Sequence, residues 1–118
     1  MDRRALGRRM EEEALRHLLA RGLSLLARNW RCRAGEVDLV LQEGEAVVFV
    51  EVRYRSGSAF GGGAASVDPL KRRRLRAAAL HYLQRRAPGA PARFDVVELR
   101  GDPARPQIRW IRDAFRED

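Results

Sequence analysis

Two apolar, β-branched runs tipped with acids constrain this chain more than anything else in it. The first reads Glu36-Val37-Asp38-Leu39-Val40-Leu41 and the second Ala46-Val47-Val48-Phe49-Val50-Glu51-Val52-Arg53-Tyr54. Val, Phe and Tyr suit a pleated, half-buried surface, so both runs predict strands. The four residues between them, Gln42-Glu43-Gly44-Glu45, are polar, contain a glycine and have hairpin length. A hairpin sets the strands side by side. Alternation then puts Glu36 and Asp38 on one face of the first, and Glu51 and Arg53 on one face of the second. If the register aligns those faces, two or three carboxylates and a cation converge. A carboxylate on an apolar strand is costly unless something pairs with it. A divalent metal would do so, and so would an arginine.

The rest of the chain supplies the frame. Leu6, Met10, Ala14, Leu15, Leu18 and Leu19 recur mostly at spacings of three and four, which predicts a helix over about residues 4–20, stopped by Arg21-Gly22. Residues 23–29 read as a first strand ending in a polar turn. Residues 55–66 are too rich in glycine for regular structure and predict a mobile loop. A second helix is expected over about residues 68–86, with Asp68 as N-cap, Pro69 at the first helical position, and Leu75, Ala78, Ala79, Tyr82 and Leu83 as its apolar stripe. Residues 93–99 predict a fourth strand, and residues 107–111 a fifth, at a sheet edge. The order is helix, three strands, helix, two strands. Short links make the first three strands an antiparallel meander, and the second helix allows a parallel crossover. The fold class is therefore α/β, a mixed central sheet flanked by helices, in a single domain spanning residues 1–118.

Charge narrows the partners. The formal net charge is +8, and arginine supplies all 24 basic residues except Lys71. A domain this basic is expected to meet a polyanion, nucleic acid before an anionic membrane. The single Cys32 excludes an intramolecular disulfide and a cysteine-cluster zinc site. The N-terminus has charges but no apolar segment after them, and no run approaches membrane-spanning length, so a cytoplasmic protein is expected.

An acid on one strand followed by Glu-x-Arg on the next is a nuclease-like constellation. Phosphodiester hydrolysis uses a metal to neutralise charge on the non-bridging oxygens and to lower the pKa of water. Mg²⁺ prefers hard oxygens and keeps several waters, so one or two carboxylates are enough. Asp38 and Glu51 fit that requirement. Arg53 cannot act as a general base, but its guanidinium can pair with a phosphate.

The chain resembles the YraN-like family of small bacterial proteins, a group similar to restriction-endonuclease-fold (PD-(D/E)xK) proteins and related to archaeal Holliday junction resolvases. The resemblance runs through Gly7 and residues 11–14, Asn29, Gly35-Glu36-Val37-Asp38-Leu39-Val40, Val48-Phe49-Val50-Glu51-Val52-Arg53-Tyr54-Arg55, Lys71, Leu75 and Arg93-Phe94-Asp95-Val96-Val97. It implies that Asp38 and Glu51 bind Mg²⁺ or Mn²⁺. Glu11 matches a first-helix glutamate that reaches the metal directly or through water. Glu36 is implied as an auxiliary ligand or a partner for Arg53. Arg53 stands where the family pattern normally has lysine, and Met10 where it often has a small residue. The implied activity is metal-dependent hydrolysis of DNA, including branched DNA. The alternative is a nucleic-acid-binding module of the same fold that has lost catalysis, with Arg53 marking the loss. A protein–protein adaptor is a third reading.

The other candidates are basic. Lys71, Arg72 and Arg73 open the second helix in a run of charge that opposes the helix dipole, which points to phosphate contact rather than helix stability. Arg55 follows the second acidic strand, and Arg8 and Arg9 form a weaker patch in the first helix. His17 and His81 are isolated and read as packing or surface. Trp30 and Trp110 read as core or rim. Residues 57–63 lack the lysine spacing of a phosphate-cradling loop. Symmetric cutting of two strands would favour a homodimer, for which residues 107–111 offer an edge.

Overall fold

Asp2 opens the first helix, its carboxylate accepting the Ala5 N–H at 2.7 Å, and the computed structural model describes residues 2–57 and 67–116. This helix, α1, covers Arg3–Leu19. It ends in a turn closed by Leu23 N–H to the Leu18 carbonyl and Gly22 N–H to the Leu19 carbonyl, with Gly22 at φ 96°. Only glycine takes that backbone cheaply, which is why Arg21-Gly22 is a stop. Met10, Ala14, Leu15 and Leu18 are buried as the spacing predicts. Leu19, one residue out of phase with Leu18, is 43% exposed.

Three strands follow: β1 (Ser24–Cys32), β2 (Gly35–Glu43) and β3 (Ala46–Arg55). β1 runs three residues beyond its expected end. Asn29 does not terminate it, because asparagine tolerates the left-handed backbone it adopts there, φ 48°. Arg55 is the last residue of β3 rather than the first of a loop. Residues 58–66, the body of the expected Gly-rich loop, lie outside the described residues. Helix α2 (Pro69–Arg86) starts as expected, with the Asp68 carboxylate accepting the Lys71 N–H at 2.9 Å and Pro69 in the first turn. Strands β4 (Ala92–Arg100) and β5 (Gln107–Phe115) complete the chain, the latter four residues longer than its apolar pattern suggests.

The strands form one sheet in the order β1-β2-β3-β4-β5. β3 and β4 are parallel and every other pair is antiparallel. The helices lie on opposite faces. α1 packs on Leu39, Leu41, Val48, Val50, Val97 and Leu99. α2 packs on Val40, Val47, Phe49, Val96 and Phe115. This is the mixed α/β arrangement expected from the sequence. Among the described residues no helix is long and apolar enough to cross a membrane.

One irregularity positions the site. β2 and β3 pair from Glu43↔Ala46 as far as Leu39↔Val50 and no further. Beyond that point β2 stays with β1, through Trp30↔Val37 and Arg31↔Glu36, while β3 stays with β4. The two strands therefore part at Asp38 and Glu51. Val37 records the turn, packing on the α2 side although Leu39 and Leu41 pack on the α1 side.

Candidate active site

Where β2 and β3 part, the N–H of Val52 loses its strand partner. The Asp38 carboxylate replaces it, accepting that N–H at 2.8 Å. Asp38 is thus the wedge in the opening as well as its acid. Glu51, next to Val52 on β3, is 4% exposed and shares a hydrogen bond with Asp38. Two carboxylates this close, Glu51 buried and Asp38 half-buried, cannot both ionise easily. Burial, then the hydrogen bond and charge of Glu51, push Asp38 up to about 8, against the pull of the Val52 N–H and the Lys71 charge.

The cation closest to this pair comes from the helix, not the strand. The Lys71 ammonium lies in ion-pair contact with Glu51 Oε2, whereas Arg53 Nη1 is 4.0 Å from the same oxygen. Reach explains Lys71. It sits in the first turn of α2, which the turn of backbone at Gly35 allows close to β2. A Cβ on Gly35 would fall 1.9 Å from the Arg74 carbonyl oxygen. The glycine of Gly35-Glu36-Val37-Asp38 is therefore a contact surface for α2, one helical turn from Lys71.

The acid pair is reached from both faces of the sheet. On the α2 side a cleft of about 270 Å³ is lined by Glu36, Asp38, Glu51, Asp68, Lys71 and Arg74, among others. On the α1 side one of about 210 Å³ is lined by Gly7, Glu11, Asp38, Glu51, Tyr54 and Lys71, among others. Glu11 thus faces the pair across the second cleft. Burial and the Asp38 charge push it up, while the Asn29 side chain and Arg28 hold it back.

The remaining candidates separate. Glu36 lines the α2-side cleft and pairs with Arg31, opposite it on β1, at 3.1 Å. The run 71–73 is not one phosphate-facing surface, because successive helical residues point about 100° apart. Lys71 turns to Glu51; Arg72 donates to the Val67 carbonyl at 2.9 Å and stacks over Phe115; Arg73 is exposed. Arg9 donates to the Pro103 carbonyl at 2.9 Å, tying α1 to the β4–β5 turn, and Arg8 is exposed. Arg55 is exposed at the end of β3. Trp30 is a rim residue, edge-on to Tyr82 and donating to His81 Nδ1 at 3.1 Å. The place of Lys71 was not read from the sequence. Its signal was compositional: one lysine stands among 24 basic residues.

The donor set fits a hard divalent ion. Glu51 Oε2 is enclosed and, despite the neighbouring cations, has no donor aimed at it in hydrogen-bond geometry. Among the described residues no three acid, imidazole or thiol groups gather closely enough to enclose an ion by themselves. Two carboxylates with water completing the shell is the arrangement Mg²⁺ tolerates best.

Fold and site together define a mixed α/β protein with a carboxylate pair, one buried and one half-buried, at a strand divergence, faced by a helix-borne lysine. The chain belongs to the family described as Uncharacterised protein family UPF0102, whose model matches residues 10–99. It is 48% identical over 112 residues to a UPF0102 protein of Nitrosococcus oceani, covering 93% of this chain and 90% of the relative. It is 53% identical over 110 residues to one of Methylococcus capsulatus, covering 92% and 89%. To one of Alkalilimnicola ehrlichii it is 52% identical over 111 residues, covering 92% and 85%.

Proposed function

We propose that this protein is a restriction-endonuclease-like, metal-dependent nuclease that hydrolyses phosphodiester bonds in DNA, with Asp38 and Glu51 as the ligands of Mg²⁺ or Mn²⁺. The observation that carries the reading is the meeting of these two acids at the β2–β3 divergence, Glu51 buried and Asp38 half-buried, hydrogen-bonded to one another and lining two clefts. A divalent ion held there would neutralise phosphate charge and acidify water.

The chain's own residues do the rest. The raised Asp38 carboxyl holds its proton beside Glu51, and a divalent ion held by Asp38 and Glu51 would take that proton's place. Lys71 keeps an ammonium against Glu51 while 41% of its side chain faces solvent, so it reaches a phosphate oxygen or a water without leaving the acid. Developing negative charge on a phosphate is stabilised by such a fixed cation. Lys71 thereby supplies a compact ammonium donor in contact with Glu51, while the Arg53 guanidinium stands 4.0 Å from the same oxygen. Arg53, Arg55 and the +8 net charge favour a polyanionic substrate.

The test is cleavage of labelled single-stranded, duplex and four-way-junction DNA with Mg²⁺, Mn²⁺ or EDTA. Wild type is expected to cut only with metal. Asp38→Asn and Glu51→Gln are expected to lose about 10³-fold or more, the several kcal/mol that metal catalysis supplies. Lys71→Met should lower turnover without abolishing Mn²⁺ binding by calorimetry. Absence of both cutting and Mn²⁺ binding in the wild type would sink the proposal. DNA binding that survives without cutting would favour a binding module of this fold.

A further inference from the structure

Gly7 and Gly35 are glycines for opposite reasons. Gly35 has no side chain because α2 lies against it, the Arg74 carbonyl oxygen falling 1.9 Å from where its Cβ would be. Gly7 sits inside α1, and a Cβ there would meet no atom of the described residues within 4 Å. Glycine in a helix interior is destabilising relative to alanine, because it loses more backbone freedom on folding. Packing therefore does not account for Gly7, and helix stability opposes it.

Helical phase shows what the missing side chain leaves open. The buried stripe Leu18, Leu15 and Ala14 continues towards the start of α1 as Glu11, Arg8, Gly7 and Arg4, at spacings of three and four. Leu6 and Met10 keep one edge of the early turns on the core. The rest of that face is left open, and Arg4, Gly7 and Arg8 are exposed. It borders the α1-side cleft of about 210 Å³, where Gly7 and Glu11 share the lining with Asp38, Glu51 and Lys71. Glu51 is buried in this lining, and its Oε2 has no hydrogen-bond partner. Among the described residues the side chains of Arg4 and Arg8 carry no ion pair or hydrogen bond, whereas Arg9, next to them, is tied to the Pro103 carbonyl.

We propose that the sugar–phosphate backbone of the nucleic-acid substrate enters by the α1-side cleft, with Gly7 as its point of closest approach to α1 and Arg4 and Arg8 as flanking phosphate contacts. Glycine is the residue that lets a ligand come close to a backbone. Guanidinium forks match phosphate oxygens through paired hydrogen bonds. A phosphodiester held against Gly7 lies between α1 and the Asp38–Glu51 pair. The proposal rests on the nuclease reading and adds which face of the sheet admits the substrate and which residue sets its fit.

Fluorescence anisotropy of a labelled single-stranded oligonucleotide, titrated in EDTA over a series of NaCl concentrations, tests this without cleavage. Calorimetry of Mn²⁺ binding without DNA runs beside it. Gly7→Gln adds an uncharged helix former, so its melting temperature should not fall below that of the wild type. It is expected to weaken oligonucleotide binding about tenfold or more, the loss an overfilled contact causes, and to leave Mn²⁺ binding unchanged. Arg4→Ala/Arg8→Ala should reduce the slope of log K against log[salt] by about 1.4, at about 0.7 per single-strand contact. The charge-matched Arg73→Ala/Arg74→Ala, at the α2-side cleft that Arg74 lines, should keep the wild-type slope. Wild-type affinity in a folded Gly7→Gln protein overturns the proposal and leaves the acid pair untouched. So does a slope lost with Arg73 and Arg74 but kept without Arg4 and Arg8, which would put the substrate on the α2 side. Loss of Mn²⁺ binding in Gly7→Gln would make Gly7 a part of the metal site instead, and also overturns it. Should Gly7→Gln melt low, the two arginine pairs decide. A wild type with no salt-dependent binding overturns the entry path, and metal-dependent cutting then decides separately whether the nuclease reading falls with it.

Discussion

Two buried acid sites on the same sheet are built to opposite ends. Asp95 on β4 is 1% exposed and fully partnered. It receives Arg93 Nε at 3.0 Å, Trp110 Nε1 at 2.9 Å and the Asp113 N–H at 2.9 Å. The last bond holds Asp113 at φ 48°, where the β4–β5 register shifts. Glu51 is buried almost as well and Asp38 is half-buried beside it, but Glu51 Oε2 accepts no well-formed hydrogen bond. Burial alone therefore does not mark a functional carboxylate. The mark of a candidate site is burial with incomplete hydrogen bonding, which Glu51 Oε2 keeps even beside the Lys71 ammonium.

That contrast predicts opposite responses to mutation. The largest effect is at Asp95. Asp95→Ala should cost about 3–5 kcal/mol in urea unfolding, since it strips a buried charge network of its centre. A loss under 1 kcal/mol would mean that Arg93, which also pairs with Glu43 at 2.9 Å, needs Asp95 little.

Next comes the glycine that lets α2 approach. Gly35→Ala should destabilise by about 1–3 kcal/mol, because the methyl must displace backbone at Arg74. It should also move Lys71 away from Glu51. Because Lys71 is the sole lysine, ¹³C-lysine labelling gives one side-chain spectrum, which should shift towards that of a free lysine. An unchanged spectrum would detach Gly35 from the site.

Asp38→Asn should stabilise the metal-free protein, by at least about 1 kcal/mol near pH 8. The sign follows from linkage. The folded carboxyl is raised to about 8 from an ordinary 3.8, so the folded state holds its proton more tightly. The stability from that proton is complete below about pH 4 and is lost as pH rises towards 8. Urea midpoints at pH 5 and pH 8.5 should diverge between wild type and variant, with the wild type falling more. Parallel pH profiles would show that Asp38 is as well satisfied as Asp95.

The smallest effect is at Glu36. Its pair with Arg31 is exposed, so Glu36→Gln should change stability by less than about 0.5 kcal/mol. A larger change in Mn²⁺ affinity would make it an auxiliary ligand after all.

Much of the frame was legible because it is local. Hydrophobic periodicity, the Asp68-Pro69 helix start and the Gly22 stop act over a few residues, and the element order followed from them. The ends of β1 and β5 were harder, because their outer residues are exposed and held by ladder hydrogen bonds rather than by an apolar pattern. In the site, Asp38 and Glu51 could be paired from the hairpin alone. The divergence that joins them could not, since it depends on β1 and β4 competing for β2 and β3.

The sequence by itself determined the acids, the strands that carry them and the net positive charge, because each is a property of composition or of short-range alternation. Only the tertiary structure decided which cation meets Glu51 and where the positive charge gathers. Lys71 is twenty residues from Glu51, and its approach depends on a glycine in another strand. Arg53, Arg55, Arg100 and Arg109 come to neighbouring positions only through the register of three strands. Helical phase scatters neighbours and sheet register gathers strangers, so charge read along the chain is a poor guide to charge in space.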